Sequence, residues 1–125
     1  GLMAGDKENT IYKLCKKFTL RIIRLCVFLR DSQHEQIMSR QIYRSGTSIG
    51  ANVAESVFAQ SEADYINKLK IALKEAGETR YWLELLHEAG FITAKAYESL
   101  LNDVNIIIGT LINIINKLKD KCDKK

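Results

Sequence analysis

No proline occurs anywhere in the 125 residues of this chain. Proline breaks helices and punctuates loops, so its absence favours long helices joined by short connections. Apolar residues recur at spacings of three and four over four long segments, the period of a helix that buries one face.

The spacing predicts a first helix over about 9–30, with Ile11, Leu14, Cys15, Phe18, Ile22, Leu25, Cys26 and Leu29 on its core stripe. A second helix is expected over about 36–58, its core seam formed by Met38, Ile42, Ser45, Ile49, Asn52, Val53 and Ser56. The third runs over about 62–89 on Tyr65, Leu69, Ala72, Leu73, Ala76, Leu83 and Leu86. Ser61 followed by Asp64 resembles an N-terminal capping pair, and Gly90 reads as the stop. The fourth starts near Thr93, a suitable N-cap, and continues to about 119 with Tyr97, Leu100, Leu101, Val104, Ile107, Ile108, Leu111, Ile114, Ile115 and Leu118 on its apolar face. Short connections between long helices make antiparallel neighbours. The expected fold is all-α, an up-down-up-down four-helix bundle forming one domain over 9–119, with flexible termini at 1–8 and 120–125. No Gly-, Ser- or Pro-rich linker suggests a second domain.

Several helices carry more apolar surface than one bundle core needs. The first has Tyr12, Leu20, Ile23 and Val27 outside its core stripe. The second has a face of Tyr43, Gly46, Gly50, Ala54 and Val57, and two glycines inside a helix cost roughly 1 kcal/mol each relative to alanine. Close packing of that face against another subunit would offset the cost. The third carries Ile71, Trp82 and Leu85 off its stripe. Such surface points to self-association. Asn102, Asn105, Asn113 and Asn116 share one side of the fourth helix and are read as facing water.

Charge is mildly basic, 19 Lys and Arg against 15 Asp and Glu for a net +4, which is less than a strong nucleic-acid binder shows. Lys13, Lys17, Arg21 and Arg24, flanked by Lys16, nonetheless line one stripe of the first helix, where they suit either phosphate contacts or a solvated face. Repetition around a ring of subunits would add these charges into a larger field. Cys15 and Cys26 lie ~16 Å apart along one helix and cannot bridge each other. Three cysteines, read as reduced, suggest the cytoplasm. No signal-peptide pattern and no run of 18 apolar residues is present, so no membrane role is expected.

Chemistry-bearing patterns are sparse. Glu84 and His87 have the spacing used in di-iron bundles, but the nearest second pair, Asp31 and His34, has the wrong acid in an expected loop. His87 and Glu88 begin a zinc-protease pattern that Phe91 interrupts. No phosphate-binding glycine loop, nucleophile–base pair or cofactor motif is visible, and the chain is read as a non-enzyme without a metal or cofactor. Arg44, Ser48, Asn52 and Glu55 lie on one side of the second helix, where they suit a hydrogen-bond network that fixes register, or a ligand site.

The segment Gln41-Ile42-Tyr43-Arg44-Ser45-Gly46-Thr47-Ser48-Ile49-Gly50-Ala51-Asn52-Val53-Ala54-Glu55 resembles the signature of the 23S rRNA intervening-sequence protein family. A second stretch agrees: Tyr65-Ile66, Leu69, Ile71-Ala72, Glu75-Ala76, Glu78-Thr79 and Tyr81-Trp82-Leu83. The resemblance spans about 37–118. It departs at Gly50, where the family commonly has proline, and at Ser56, where it commonly has glycine. It implies a four-helix bundle that assembles as a homopentamer. A related protein of diversity-generating retroelements is thought to bind reverse transcriptase and nucleic acid. Some family genes lie inside ribosomal RNA insertions, so ribosome or ribosomal RNA association is an inference from the family name alone.

The leading expectation is a non-catalytic oligomer that binds RNA or DNA through Lys13, Lys16, Lys17, Arg21 and Arg24. Tyr12, Leu20, Ile23, Val27, Gly46, Gly50, Ala54 and Trp82 are its candidate subunit interface. Gln41, Arg44, Ser45, Ser48, Asn52 and Glu55 are family-motif residues with a structural or interface role. The alternative is a protein–protein scaffold without nucleic-acid binding, suggested by Glu75 and Glu78 beside Trp82.

Overall fold

A computed structural model describes residues 6–123, and side chains within 10–121. Four helices account for nearly all of it: α1 (Asp6–Asp31), α2 (Ile37–Ser56), α3 (Glu62–Glu88) and α4 (Ala94–Asp123). Each packs against its neighbours in the order α1–α2–α3–α4 and back to α1, and among the described residues the backbones of diagonal pairs do not approach closely, their side chains meeting only in the shared core. This is the antiparallel bundle that the periodicity predicts. The ends differ by a few residues. α1 begins at Asp6, inside the terminus expected to be flexible, and α4 runs to Asp123 rather than 119. Both extensions are polar turns that carry no apolar period for a sequence reading to follow. Residues 1–5, 124 and 125 of the expected flexible termini lie outside the described residues.

The core is one cluster. Phe18, Ile22 and Leu29 of α1 meet Ile42 and Ile49 of α2, Tyr65, Leu69, Leu83 and Leu86 of α3, and Val104, Ile107 and Leu111 of α4. Burying a side chain of this size contributes roughly 1.5–3 kcal/mol. The expected core members Leu14, Met38, Leu73, Tyr97, Leu101, Ile108 and Leu118 are half-buried at its margin, while Ile66 and Thr79 are buried additions. α4 is long and apolar enough to cross a membrane by length and composition. Its apolar side is occupied in the bundle, where Leu100, Val104, Ile107, Leu111, Ile114 and Ile115 are buried.

Helix ends follow local chemistry. Ser61 is extended and accepts the Asp64 N–H at 3.0 Å, while the Asp64 carboxylate accepts the Gln60 N–H at 3.2 Å. Thr93 Oγ1 accepts the Ala96 N–H at 3.1 Å and caps α4. At the end of α3, Gly90 takes φ +84, its N–H bonds the His87 carbonyl, and the Phe91 N–H bonds the Leu86 carbonyl at 2.9 Å. That is a Schellman motif, and it pins Phe91 over the end of the bundle. α2 begins differently. The buried Glu35 carboxylate accepts the backbone N–H groups of Ile37 at 3.2 Å and Ser39 at 2.8 Å.

The glycines of α2 correct one expectation. Gly46 is buried, and a Cβ there would sit 2.8 Å from Ile22 Cγ2; a Cβ at Gly50 would lie 3.2 Å from Thr19 Oγ1 and 3.4 Å from Cys15 Cβ. The close approach that offsets their helical cost is therefore to α1 of the same chain, not to another subunit. Ile22 is β-branched and fully buried, so it has little freedom to yield. Gly46→Leu should lower the free energy of unfolding by about 2 kcal/mol or more through overpacking. Gly77→Ala in α3, where a Cβ meets nothing within 4 Å, should raise it by about 1 kcal/mol through helix propensity. Urea titration of both variants checks the pair.

Candidate interaction surface

Contacts on either flank of α1 divide its outer surface into two faces. Thr19 and Cys26 lean toward α2, where Cys26 Sγ lies 3.5 Å from the Ser39 carbonyl. Arg21 leans the opposite way. Its guanidinium bonds Asp103 Oδ2 at 2.7 Å, Ser99 Oγ at 2.9 Å and the Ser99 carbonyl at 3.3 Å, all on α4. At 100° per residue, Tyr12, Ile23 and Val27 fall on the α2 side of the outer surface, and Lys13, Lys17, Arg24 and Phe28 fall on the α4 side. Stripes interleaved in sequence thus separate in space.

The α2-side face is apolar. Tyr12, Ile23 and Val27 are exposed, with Leu20 at its border toward the basic face. Ile23, Val27 and Tyr43 line a groove of about 440 Å³ between α1 and α2, with Arg30 and Arg40 at its rim. Ala54, Val57 and Phe58 are exposed beyond it on α2 and its end, Phe58 at 83%. Of the remaining expected interface residues, Gly46 is buried, Gly50 is half-buried against α1, and Trp82 is half-buried on α3.

The α4-side face is basic. Lys13, Lys17 and Arg24 are exposed; Lys16, expected with them, is also exposed but falls between Ile23 and Val27 on the apolar face, and none of the four makes an ion pair or hydrogen bond with a described residue. Arg21 does not belong with them. Its ion pair with Asp103 is two-thirds or more buried on both sides, so the charge is committed to joining α1 and α4.

The family-motif residues face α3. Arg44 pairs with Glu75 at 3.1 Å and with Glu78, and Glu78 also accepts the Trp82 indole N–H at 3.0 Å. The Trp82 hydrogen bond and then the Arg44 guanidinium hold the Glu78 carboxyl below the usual carboxylate range. Fully buried Ser45 is hydrogen-bonded to Thr79 at 2.9 Å. Ser48 and Asn52 bond carbonyls of their own helix, Glu55 lies 3.9 Å from Lys68, and Gln41 is exposed. The two sequence stretches that carry the resemblance are thus physical partners: Arg44 with Glu75 and Glu78, Ser45 with Thr79. Glu75 and Glu78, read from sequence as a surface for a protein partner, are occupied by Arg44 and Trp82.

Residues weighed for catalysis do not converge. His87 stacks on Tyr97, with ring centroids 4.6 Å apart and planes 10° from parallel, while Glu84, Asp31 and His34 are exposed. Among the described residues, no group of three His, Cys, Asp or Glu side chains could hold a metal ion. Cys15 and Cys26 are buried free thiols, and burial pushes the Cys15 thiol up to about 12, far from a reactive thiolate. The Cys122 side chain lies outside the described residues. Asn102, Asn105, Asn113 and Asn116 are exposed, and Asn105 accepts a hydrogen bond from Arg80.

A bundle with a clamped α2–α3 pair and two unlike outer faces on α1 defines the class: a small all-α four-helix-bundle protein. The sequence matches the 23S rRNA-intervening sequence protein family over residues 7–113, and the chain belongs to that family. Among solved structures, it is similar to a protein of unknown function from the S23 ribosomal protein family of Bacteroides thetaiotaomicron. The two are 54% identical, the match covers 88% of this chain and 98% of that one, and the TM-score is 0.87. No curated protein matches. Neither description names a catalytic activity.

Proposed function

We propose that this protein is a non-catalytic homo-oligomer, a pentamer as the family resemblance implies, that binds RNA or DNA through the basic face of α1. The observation that carries the reading is the row of Lys13, Lys17 and Arg24, exposed and without a partner among the described residues while Arg21 beside them is paired. Cations left unneutralised along about three turns of one helix match the periodic charge of a nucleic-acid backbone. Repetition in a ring multiplies a field that one protomer, at net +4, supplies weakly. The apolar face on the α1–α2 side supports the oligomer, and a subunit contact there leaves Lys13, Lys17 and Arg24 clear. The same apolar face also suits a different protein, and that scaffold is the second reading. Ribosomal RNA is one candidate ligand, suggested by the family's description. The reading places the protein in the cytoplasm, with Cys15 and Cys26 as buried thiols.

Anisotropy titrations with labelled structured RNA and duplex DNA test the binding. With three phosphates contacted, duplex affinity should fall about 40-fold between about 50 and 200 mM salt. Joint reversal of Lys13, Lys17 and Arg24 to Glu should abolish binding at low salt, whereas Arg21→Ala should leave affinity nearly unchanged. Absence of binding at low salt would move the reading to the scaffold.

Light scattering tests the assembly. Five chains of 14.2 kDa give about 71 kDa, and Val27→Lys with Tyr43→Lys should reduce that mass to a single chain without loss of helicity. A monomeric mass for the unaltered protein would refute the oligomer.

A further inference from the structure

At the end of the bundle where α1 finishes and α4 begins, a cleft of about 680 Å³ opens between the two helices. Its apolar wall includes Phe28, Phe91 and Leu25, and its polar lining includes Arg21, Arg24 and Gln33. Phe28 is 42% exposed and lies off the core stripe of α1, so its ring is accessible from the cleft. Phe91 is fixed by the Schellman turn after α3 and packs against the core on one side while lining the cleft on the other. Arg21 is spent on Asp103 and Ser99, which leaves Arg24 as the cation of the lining without a partner among the described residues. The volume falls in the range of small-ligand sites.

The cleft is continuous with the basic face. Lys13, Lys17, Arg24 and Phe28 follow one another at spacings of four, seven and four on the α4 side of α1, so the row of cations leads to the exposed ring over about 22 Å. Phe91 packs on the core, whereas Phe28 adds an exposed aromatic ring at the end of the row of cations. Aromatic rings beside cations are how proteins hold unstacked bases, the ring taking the base face and the cation the adjoining phosphate.

We propose that this cleft receives one unpaired nucleobase, stacked on Phe28 against the Phe91 wall, with Arg24 on the adjoining phosphate. The protein therefore prefers nucleic acid with a bulged or single-stranded nucleotide over a continuous duplex. The inference rests on the nucleic-acid reading above and specifies the conformation that the basic face delivers to its end. Phe28 takes the base because it is accessible from outside, and Phe91 closes the inner wall.

The test uses two RNA hairpins of nearly equal length and charge, each closed by a non-nucleotide linker in place of a base loop, one with a continuous paired stem and one with a single bulged 2-aminopurine, titrated into the full chain and into Phe28→Ala. The bulged hairpin should bind about tenfold more tightly, in line with one stacked base, with a rise in 2-aminopurine emission as the base leaves its stacked neighbours. Phe28→Ala should remove both the preference and the rise while leaving the paired hairpin's affinity unchanged. Phe28→Tyr should retain them. Equal binding of the two hairpins by the unaltered protein would overturn the cleft assignment and leave the basic-face reading standing. A preference that survives in Phe28→Ala would overturn it as well. Failure of both hairpins to bind at low salt would overturn the cleft and the nucleic-acid reading together.

Discussion

Ile22 of α1 occupies the space that a side chain at position 46 would need, and the placement of α2 follows from that approach. Small residues at 46 and 50 bring the two backbones close, which fixes how α2 is rotated about its own axis. Given that rotation, Ser45 turns inward to Thr79 and Arg44 reaches Glu75 and Glu78 on α3. Tyr43 is left on the outer surface beside Ile23 and Val27. The helical cost of two glycines is small beside the burial that the contact permits, roughly 1.5–3 kcal/mol for a side chain of Ile22's size. A polar motif that looks like a site in sequence is, in the fold, the seam between two helices.

A second consequence concerns charge. Once α2 takes one flank of α1 and α4 the other, the cations of α1 are no longer equivalent. Arg21 faces α4 and is neutralised by Asp103, whereas Arg24, three residues on, is turned outward. One further turn brings Phe28 beside the cleft at the bundle end. An apolar surface and a row of cations thus lie on opposite flanks of one helix.

Much of the fold was legible in the sequence, and for a local reason. The spacing of Ile11, Cys15, Phe18 and Ile22, the caps at Ser61 and Thr93 and the stop at Gly90 are set within a turn or two of chain, and each appears where the spacing places it. What was not legible depends on partners distant in sequence. Whether Gly46 faces a neighbouring subunit or α1 is decided by Ile22, 24 residues away. Whether Arg21 is free or paired is decided by Asp103. Glu35 escaped notice as a cap because it precedes the usual capping position and is not one of the residues preferred there. The cleft draws on α1, the turn after α3 and the start of α4, and no single stretch of sequence announces it.

Under the proposed function, the α4 side of α1 is the surface that meets nucleic acid. Lysine acetylation read by mass spectrometry, with and without saturating structured RNA, tests it most directly. Modification of Lys13 and Lys17 should slow several-fold in the complex, while that of the exposed Lys70 and Lys74 on α3 stays at its free rate. Equal protection of all these lysines, or protection confined to α3, would contradict the account.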